Sequence, residues 1–513
     1  MGDMVQSVDP RTGAAGPAYP ASSVAEVGAA VAAAAEAFGT SGWHDDARRV
    51  AFLRGAAARL REAGAEIVGI AESETGLPDV RLVGELERTC LQLEAFADLV
   101  AAGDYVDAII DTADPDAKPI PRPDVRRMLY PIGPVAVFGA SNFPLAFGVA
   151  GGDTASALAA GCPVVAKGHP SHPGTNEAVG AQLDAARSDA GLPAGAFALV
   201  QGPGVEVGEA LVDAPAIAAV GFTGSLAAGR VLYERAARRP EPIPVYAEMG
   251  SVNPVVVTEG ALAERADAIA DLLSGAVSFA AGQLCTKPGV VLVPAGAAGE
   301  AFAQAVVDRL GAAGPQVMLN ERLRASLADR VDDLAGDGAV QRLSPDGGPA
   351  EPGLRFAPLA FRAPAAAVRA SRALLDECFG PVVLLVTYES EDELLQTAAV
   401  LDGQLTATIH AGAGEHDLRR ALTDALRERV GRLIYDGVPT GVAVTGAMHH
   451  GGPYPATTAP AHTSVGTTAV ARFLRPVAWQ NAPADVLPPA LRDENPLGLW
   501  RRVDGELTRD AIR

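Results

Sequence analysis

Residues 133–167 read GPVAVFGASNFPLAFGVAGGDTASALAAGCPVVAK, and this stretch decides the fold class. The apolar run at 135–138 is followed by a glycine-containing turn, by small helix-forming residues at 150–160 and by a second apolar run at 163–166. Short apolar runs bounded by turn residues are typical of buried strands, and a helix between two such strands allows them to be parallel. The stretch therefore predicts a βαβ unit.

The same alternation of strands and helices extends along most of the chain. It predicts helices at 174–190 and 205–212, and strands at 196–200, 217–222, 254–257, 290–293, 382–386 and 433–435. Before this region, apolar residues three and four apart predict helices at 24–38, 45–60, 62–73 and 80–101. Together these patterns predict an α/β protein with mostly parallel sheets.

Two segments interrupt the alternation. Residues 104–123 are rich in Asp and Pro around a short apolar run at 105–110, and they are interpreted as an extended arm or linker. The segment beyond 459 is rich in Pro and contains one β-like stretch at 467–477.

The composition excludes several classes of protein. Of 513 residues, 49% are hydrophobic and 20% are charged, which permits a large core and excludes wholesale disorder. Lys and Arg number 41 against 62 Asp and Glu, a net charge of −21, so neither a nucleic acid nor a membrane surface is an expected partner. Four scattered cysteines indicate a reducing compartment. Because the first residues lack a signal-peptide pattern and no long uninterrupted apolar run follows, the sequence predicts a cytoplasmic enzyme.

The sequence lacks the common short motifs of metal and hydrolase sites, including His-Glu-x-x-His, Cys-x-x-Cys, the P-loop and Gly-x-Ser-x-Gly. The histidines are scattered except for two close pairs, at 169 and 172 and at 449 and 450. No metal site is predicted, and His449-His450 before two glycines is interpreted as a structured loop.

Three predicted strand ends carry groups suited to a dinucleotide. Lys167 ends one strand, a glycine pattern at 202–208 follows another, and Phe222-Thr-Gly-Ser225 follows a third. Ligands of open α/β sheets bind beyond the carboxyl ends of strands, where helix N-termini favour phosphate. The glycine pattern alone is equally consistent with a plain turn, but the three strand ends together indicate a dinucleotide site.

A thiol and a carboxylate are candidates for catalysis. Cys285 follows a helical run in Gly-Gln-Leu-Cys, and Glu248 lies between an apolar strand and a glycine-containing turn. A free Cys is most often an inert buried thiol, but a carboxylate nearby could serve as a base.

Six segments resemble, in the same order, those of the aldehyde dehydrogenase superfamily. They lie at 133–145, 165–167, 222–225, 248–254, 282–285 and 377–381. The resemblance covers essentially the whole chain and implies a three-part fold. Its expected parts are a doubly wound dinucleotide-binding domain (1–105 and 126–248), an α/β catalytic domain (249–460) and a small β bridging element (106–125 and 461–513). Bridging elements are expected to pair between subunits, which implies a homodimer or a dimer of dimers.

The resemblance also implies oxidation of an aldehyde through a cysteine thioester. Cys285 is the expected nucleophile, and Glu248 is the expected base for water, with a pKa raised toward neutral by an apolar setting. The Asn142 side chain and the Cys285 backbone N–H are the expected oxyanion donors. Two alternatives stay open: a CoA-acylating reductase, which would not need Glu248, and a catalytically silent structural protein on the same fold.

A nicotinamide cofactor is implied by the same resemblance. Lys167 is expected at the adenosine ribose, Ser225 at the pyrophosphate, and Glu377 with Phe379 at the nicotinamide ribose. Further expected contacts are Phe138, Ala140, His169, Pro170, Gly204, Gly208, Phe222 and Gly224. Pro170 stands where NAD-preferring relatives often carry a Glu that repels a 2′-phosphate. NADP is therefore the expected cofactor, with NAD also possible.

Finer motifs resemble one branch of the superfamily, which contains 2-oxoglutarate semialdehyde dehydrogenases and certain NADP-dependent fatty aldehyde dehydrogenases. These motifs lie at 150–163, 167–175, 285–289, 437–441, 450–457 and 463–466. The expected substrate is 2,5-dioxopentanoate, and a medium or long aliphatic aldehyde is the alternative. A carboxylate substrate needs a local cation, and Lys287 is the candidate, with a solvated loop lysine as the competing interpretation.

Overall fold

The computed structural model of the protein describes residues 3–40, 42–344 and 347–512. Its α-helices are, in chain order, α1 (Val24–Phe38), α2 (Asp46–Glu62), α3 (Gly64–Thr75), α4 (Asp79–Ala102), α5 (Gly152–Ala160), α6 (Pro173–Asp189), α7 (Glu206–Asp213), α8 (Leu226–Ala237), α9 (Glu259–Ser278), α10 (Ala297–Ala313), α11 (Glu321–Gly336), α12 (Ala365–Ala370), α13 (Glu391–Ala399) and α14 (His416–Leu426).

The strands are, in chain order, β1 (Met4–Asp9), β2 (Ala14–Pro20), β3 (Ile109–Asp111), β4 (Val125–Pro131), β5 (Val135–Phe138), β6 (Val164–Lys167), β7 (Phe197–Val200), β8 (Ala219–Thr223), β9 (Val245–Glu248), β10 (Val255–Val257), β11 (Val290–Pro294), β12 (Gln316–Val317), β13 (Gln341–Arg342), β14 (Gly348–Ala350), β15 (Arg355–Ala357), β16 (Leu359–Pro364), β17 (Val382–Tyr388), β18 (Gln404–His410), β19 (Val430–Tyr435), β20 (Leu474–Gln480), β21 (Arg501–Val503) and β22 (Glu506–Thr508).

A parallel five-stranded sheet contains the stretch that opened the sequence. Its order is β7-β6-β5-β8-β9, so the chain runs outward from β5 to one edge and returns on the other side of β5. The point at which the strand order reverses is where open α/β sheets bind ligands. The predicted α/β class and doubly wound arrangement are confirmed, and α1–α4 lie within two residues of the predicted helices.

A second, seven-stranded sheet has the order β13-β16-β17-β11-β10-β18-β19 and is parallel except for β13. Its central strands β10 and β11 are buried along their whole length. Helices cover both faces of such a sheet, which is why these strands read as continuous apolar runs without alternation.

A third sheet joins segments that lie far apart in the sequence, in the order β20-β4-β3-β21-β22. All seven residues of β4 pair antiparallel with β20. The predicted start of the dinucleotide domain at 126 therefore falls inside a strand of this small sheet, which extends to Pro131. The other predicted domain limits stay predictions.

The β-like stretch predicted at 467–477 is wrong in its first part. Residues Thr467–Phe473 form 3-10 turns, and the strand begins only at Leu474. The reason is Arg472, whose guanidinium is buried against α5 and bonded to Asp153 at 2.7 Å. The alternation of apolar and polar residues indicated a strand with one solvated face. Arg472, one of the polar residues, is instead buried in an ion pair, so the alternation did not correspond to such a strand.

The hairpin of β1 and β2 also departs from the sequence prediction, which assigned only helices to the first hundred residues. Most of its residues are exposed, and β2 is built of small residues and Pro without alternation. In the described parts of the chain, no helix is both long enough and apolar enough to cross a membrane.

Candidate active site

Glu248 ends β9 at the carboxyl edge of the first sheet, and only 3% of its surface is exposed. Its Oε2 accepts a hydrogen bond of 2.6 Å from Ser464 Oγ, and its Oε1 lies 2.9 Å from His450 Nε2. Both partners come from a segment more than 200 residues further along the chain. The base predicted from the sequence is therefore held by residues that its own motif does not contain.

His450 is a site residue that the sequence interpretation missed. It is 1% exposed, and its Nε2 lies 3.5 Å from Cys285 Sγ as well as beside Glu248. Among the described residues, its Nδ1 has no hydrogen-bond partner. A proton on Nδ1 would be a buried donor without an acceptor, so the geometry favours the tautomer in which Nε2–H donates to Glu248. The adjacent His pair and the motif at 450–457 both contain this residue, but neither shows its contact with Cys285 and Glu248, because that contact depends on the tertiary structure.

The predicted upward shift of the Glu248 pKa is wrong. Burial alone would raise the pKa of this carboxyl, but the interaction with His450 and the hydrogen bonds from His450 and Ser464 stabilise the carboxylate and hold its pKa below the ordinary value. The sequence showed an apolar strand and a glycine turn, and it did not show the polar groups that fold onto the carboxylate. Glu248 is therefore ionised at neutral pH.

Cys285 lies in a tight loop that follows α9. Ala280 and Ala281 have φ values of 53° and 55°, and Gly282 has 64°, so three successive residues occupy the left-handed region. A side chain at Gly282 would overlap the backbone of Gly380, which joins this loop to the loop of Glu377. Such a conformation is unfavourable for alanine and persists only when surrounding contacts hold it.

Asn253 supplies part of that support, and the sequence interpretation gave it no role. Its buried Nδ2 donates to the carbonyl oxygens of Cys285 at 2.8 Å and Lys287 at 3.0 Å. Its Oδ1 accepts from Thr406 Oγ1 at 2.9 Å. This bond ties the loop at 280–287 around the predicted nucleophile, the nucleophile loop, to β18. Asn253 itself has φ 45°, a conformation that Asn tolerates better than most residues.

The thiol of Cys285 is in an unusual electrostatic setting. Burial and the negative charge of Glu248 raise its pKa well above the ordinary value, and the guanidinium of Arg88 opposes that shift. The thiol is consequently protonated in the free enzyme at neutral pH, with the Glu248 carboxylate beside it as an acceptor. Only the thiolate is nucleophilic, so this proton must leave before any covalent step.

Asn142 is placed at the nucleophile loop, as the motif predicted. Its buried Nδ2 donates to Gln283 O at 3.0 Å, two residues before Cys285. One amide hydrogen is used by this bond, and the second can still be donated. The loop that carries Asn142 is fixed in turn by α4, because Glu85 Oε1 accepts from the backbone N–H groups of Leu145 at 2.8 Å and Ala146 at 3.0 Å.

The residues predicted to bind the adenosine half of a dinucleotide meet at the carboxyl edge of the first sheet. Strand register puts Phe138 beside both Lys167 and Phe222, and the two phenyl rings lie 6.2 Å apart. A Cβ on Gly208 would stand 3.1 Å from the Phe138 ring and 3.9 Å from the Lys167 stem, so this position leaves little room for a side chain. Gly204 is open to solvent.

Several of these residues already have partners within the chain. Ser225 Oγ caps α8 by accepting from Ala228 N at 3.3 Å, and the Gly224 N–H donates to Glu248 O at 3.0 Å. The Ala140 carbonyl accepts from His172 Nε2 at 3.0 Å. The phosphate donors at this edge would therefore be the hydroxyl of Ser225 and the start of α8, and not the Gly224 N–H.

The loop after β6 contains His169 and Pro170 in partly buried positions. His169 Nδ1 accepts from Ser171 N at 3.2 Å, and its ring stacks on His172 with 5.6 Å between centroids. Among the described residues, Lys167 Nζ has a single long contact, 3.4 Å to Gly168 O, and burial lowers its pKa to about 8. An ammonium group with so few hydrogen bonds to the protein can still donate to a ligand oxygen, so the edge fits a nucleotide ribose.

Glu377 and Phe379 lie on the loop that touches the nucleophile loop. Glu377 also approaches the Glu248–Asn253 turn closely at Gly250, where a Cβ would be 2.5 Å from Glu377 Oε2. Burial raises the pKa of Glu377 to about 7, and the charge of Lys287 opposes the rise. The carboxylate faces the Glu248–Asn253 turn and not bulk solvent, which fits an acceptor for ribose hydroxyls.

Lys287 does not lie where the substrate prediction put it, so that prediction is wrong. It is 1% exposed, and its Nζ donates to Val382 O at 2.8 Å. The alternative of a solvated loop lysine is wrong as well. A spacing of two residues from Cys285 does not specify which way the Lys287 side chain points. The loop turns this side chain beneath the site, toward β17.

Glu248, Cys285 and His450 also form a possible donor set for a metal. One oxygen, the sulfur and one ring nitrogen lie within 4.8 Å of one another. Carboxylate, thiolate and imidazole are donors that Zn²⁺ accepts. The prediction of no metal stays a prediction.

The fold and the dinucleotide edge of the first sheet are those of a nicotinamide-dependent oxidoreductase. The sequence model of the aldehyde dehydrogenase family matches residues 2–452. The chain belongs to the aldehyde dehydrogenase family, and its activity is the oxidation of an aldehyde with NAD or NADP.

Individual relatives support the family assignment over nearly the whole chain. The chain is 44% identical to α-ketoglutaric semialdehyde dehydrogenase 2 of Azospirillum brasilense over 490 residues, which cover 96% of this chain and 93% of the relative. It is 42% identical to α-ketoglutaric semialdehyde dehydrogenase of Acinetobacter baylyi over 486 residues, with coverage of 94% and 92%. The solved betaine aldehyde dehydrogenase of Staphylococcus aureus in complex with NAD⁺ has the same fold, with a TM-score of 0.80, 21% identity and coverage of 94% and 93%.

The electrostatics of the thiol predict how Cys285 reacts with iodoacetamide. Because its pKa is raised, the alkylation rate should increase with pH through the neutral range and into the alkaline range. Glu248→Gln removes the neighbouring negative charge, lowers the thiol pKa and should make alkylation faster at pH 7. Peptide mapping of the labelled protein across a pH series measures both effects, with Cys285→Ala as the control for the other cysteines. Slower alkylation of Glu248→Gln at every pH would contradict this account.

Proposed function

We propose that the protein oxidises 2,5-dioxopentanoate, the semialdehyde of 2-oxoglutarate, to 2-oxoglutarate through a thioester on Cys285. The observation that carries the chemistry is the buried cluster of Cys285, Glu248 and His450 beside the Asn142 amide. The observation that supports the substrate is the similarity to two α-ketoglutaric semialdehyde dehydrogenases over more than nine-tenths of the chain.

The first step is the attack of Cys285 Sγ on the aldehyde carbon. The thiol proton passes to the Glu248 carboxylate, whose oxygen lies within 4.8 Å of Sγ. The carbonyl oxygen gains negative charge as the C–S bond forms, and the free hydrogen of the Asn142 amide and the Cys285 N–H donate to it. Loss of one such donor typically costs about 3–4 kcal/mol of transition-state stabilisation.

When bound, the nicotinamide cofactor supplies the two-electron acceptor that converts the hemithioacetal to a thioester. Lys167, the start of α8 and Glu377 hold the cofactor, each from a different strand end or loop. Glu377 accepts hydrogen bonds best as a carboxylate, and its pKa of about 7 leaves it partly protonated at neutral pH. Cofactor affinity should accordingly be lower below neutral pH.

The proton that Glu248 took from the thiol passes to solvent, so the carboxylate is free again for the second half of the reaction. Water then attacks the thioester carbon, the Glu248–His450 pair takes the proton of that water, and the C–S bond breaks to give the acid and the Cys285 thiolate. A carboxylate with a lowered pKa is a weak base by itself. The carboxylate is held in place by the hydrogen bonds that it accepts from His450 Nε2 and Ser464 Oγ. It therefore faces the thioester and can act on the water there. The presence of this base argues against the CoA-acylating alternative, and the intact cluster argues against a silent structural protein.

NADP is proposed as the better cofactor, with NAD also used. Pro170 offers no carboxylate against a 2′-phosphate, and Lys167 supplies a cation at the neighbouring strand end. The positive charge of Arg322, on α11, also reaches His169. These groups add positive charge where a 2′-phosphate would lie.

The small mixed sheet that contains β4 and β20 supports the proposed homo-oligomer. Its edge strand β20 pairs with β4 on one side only, and its residues are mostly exposed or half-buried. An unpaired strand edge is a template for another chain, and natural proteins usually cover it. The four free cysteines support the proposed cytoplasmic location.

Replacement of the base separates the two halves of the reaction. Glu248→Gln should give one burst of reduced cofactor per active site and then a steady-state rate lowered by at least about a hundredfold, because attack persists while hydrolysis of the thioester loses its base. Stopped-flow absorbance measures both phases. Cys285→Ala is the matched control and should show no burst and no turnover. A normal steady-state rate in Glu248→Gln would assign the base to another residue.

Cofactor preference is predicted from the charges around the adenosine ribose. Both NAD and NADP should support turnover, with the higher kcat/KM for NADP. Initial rates at matched concentrations of the two cofactors, with one aldehyde held at saturation, provide the comparison. A preference for NAD on the order of tenfold, which corresponds to about 1.4 kcal/mol, would contradict the proposal.

The substrate class is tested with three aldehydes. The proposed function predicts the highest kcat/KM for 2,5-dioxopentanoate, a lower value for glutarate semialdehyde and the lowest for hexanal. The medium-chain aldehyde alternative predicts the reverse order. A kcat/KM for hexanal above that of both acids would replace the proposed substrate with an aliphatic aldehyde.

A further inference from the structure

A carboxylate substrate needs a cation near the nucleophile, and the exclusion of Lys287 leaves that requirement open. The net charge of −21 gives an anionic substrate no long-range attraction, so the cation must be local. Three arginines surround the nucleophile loop: Arg81 and Arg88 on one face of α4, and Arg432 on β19. Their hydrogen bonds show which of them can still accept a ligand.

Arg81 is paired with a carboxylate of the protein, and its buried Nη1 has no hydrogen-bond partner among the described residues. Its Nη2 donates to Asn142 O at 2.6 Å and lies 3.7 Å from a Glu85 carboxylate oxygen. Its guanidinium also lies over the Phe143 ring, 4.9 Å from the centroid, and 6.0 Å from that of Phe279. This arginine fixes the loop of the oxyanion donor.

Arg432 is committed to the protein. Its Nη1 donates to Gly441 O at 3.0 Å and its Nη2 to Pro439 O at 2.7 Å. Both terminal nitrogens therefore hold the loop that follows β19, and its charge still reaches Cys285.

Among the described residues, Arg88 differs from the other two arginines because it has neither a carboxylate partner, as Arg81 has, nor both terminal nitrogens in hydrogen bonds, as Arg432 has. Its Nη1 donates to Val442 O at 2.6 Å, and within the described residues Nε is buried without a partner and no carboxylate lies within 4.0 Å of the guanidinium. The guanidinium lies 5.9 Å from the centroid of Phe147, whose ring in turn lies 6.4 Å from that of His450. Its charge acts on both Cys285 and Glu248.

We propose that Arg88 is the binding site for the distal carboxylate of a semialdehyde substrate, an inference that rests on the proposed function. The half-buried guanidinium stands on the wall formed by α4, Phe147 and Val442, close to the nucleophile. A planar fork with unused N–H groups matches a carboxylate, and the apolar ring beside it contacts the carbon chain. A substrate held at both ends, by Cys285 and Arg88, must have its carboxylate at a fixed distance from the aldehyde.

The same position explains why one arginine, and not a lysine, would discriminate substrates. An aliphatic aldehyde would leave the charged guanidinium desolvated without an acceptor, which is unfavourable. A site built to pair a charge therefore rejects the uncharged analogue, whereas an apolar pocket separates similar chains only weakly.

The experiment compares glutarate semialdehyde with pentanal, which have the same number of carbons and differ in the distal carboxylate. Arg88→Gln should lower kcat/KM for glutarate semialdehyde about a hundredfold more than kcat/KM for pentanal, because the accompanying rise of the thiol pKa acts on both aldehydes and the lost carboxylate contact on only one. Arg88→Lys keeps the charge without the fork and should lose less on the acid. Arg54→Gln is the matched control, since this exposed arginine pairs with Asp98 on the outer side of α4 and its loss changes the net charge equally.

A binding readout keeps the test independent of turnover. 2-Oxoglutarate should slow the alkylation of Cys285 by iodoacetamide in the wild-type protein, and the ratio of rates with and without it should fall to near one in Arg88→Gln. The ratio is used because the loss of Arg88 also raises the thiol pKa by itself.

Three results would overturn the assignment of Arg88: equal losses on both aldehydes, undiminished protection by 2-oxoglutarate in Arg88→Gln, or the same loss in Arg54→Gln. The first would show that Arg88 only holds Val442 and Phe147 in place. A wild-type enzyme that prefers pentanal would instead contradict the proposed function, so the two failures are distinguishable.

Discussion

The hydrogen bonds that Glu248 accepts from His450 and Ser464 are the contacts on which the site depends. They join the last strand of the first sheet to a segment that arrives after the whole second sheet, and residues 456–458 run beside β9 through Met249 N to Ala456 O and Thr458 N to Ala247 O. A buried carboxylate without such partners would be protonated or would destabilise the fold. The same contacts therefore close the two α/β units onto each other and fix the charge of the base.

That charge has a consequence for the nucleophile. A carboxylate beside a buried thiol opposes thiolate formation, and the pKa of Cys285 rises accordingly. The thiol of Cys285 is thus protonated at neutral pH, with the Glu248 carboxylate beside it as a hydrogen-bond acceptor. Arg88 acts in the opposite direction from α4, so the reactivity of the thiol depends on the balance between one anion and one cation that belong to different helices and strands.

The backbone around Cys285 is held by distant polar groups in a conformation it would not adopt alone. Ala280 and Ala281 have positive φ, and the loop keeps this shape because Asn253 donates to two of its carbonyls and the Asn142 amide to a third. Both asparagines lie in motifs quoted from the sequence. For Asn142 the chemistry was predicted and its bond to the loop was not, and for Asn253 neither was predicted. A donor's partner can be identified only when the loops that carry both groups are folded together.

The sequence by itself determined the α/β class, the helices of the first hundred residues, the strand ends that meet at one sheet edge, and Cys285, Glu248 and Asn142 as the candidate catalytic set. These features follow from local periodicity and from short motifs in a fixed order. Both are visible in the sequence without knowledge of which distant residues come into contact. The tertiary structure alone decided the hairpin before α1, the place of β4 in the small sheet, the lowered pKa of Glu248, the contact of His450 with the thiol and the inward turn of Lys287. Each of these depends on groups that are far apart in the chain. Burial, hydrogen-bond partners and local charge are properties of a side chain's surroundings in space, and the sequence near a residue does not specify them.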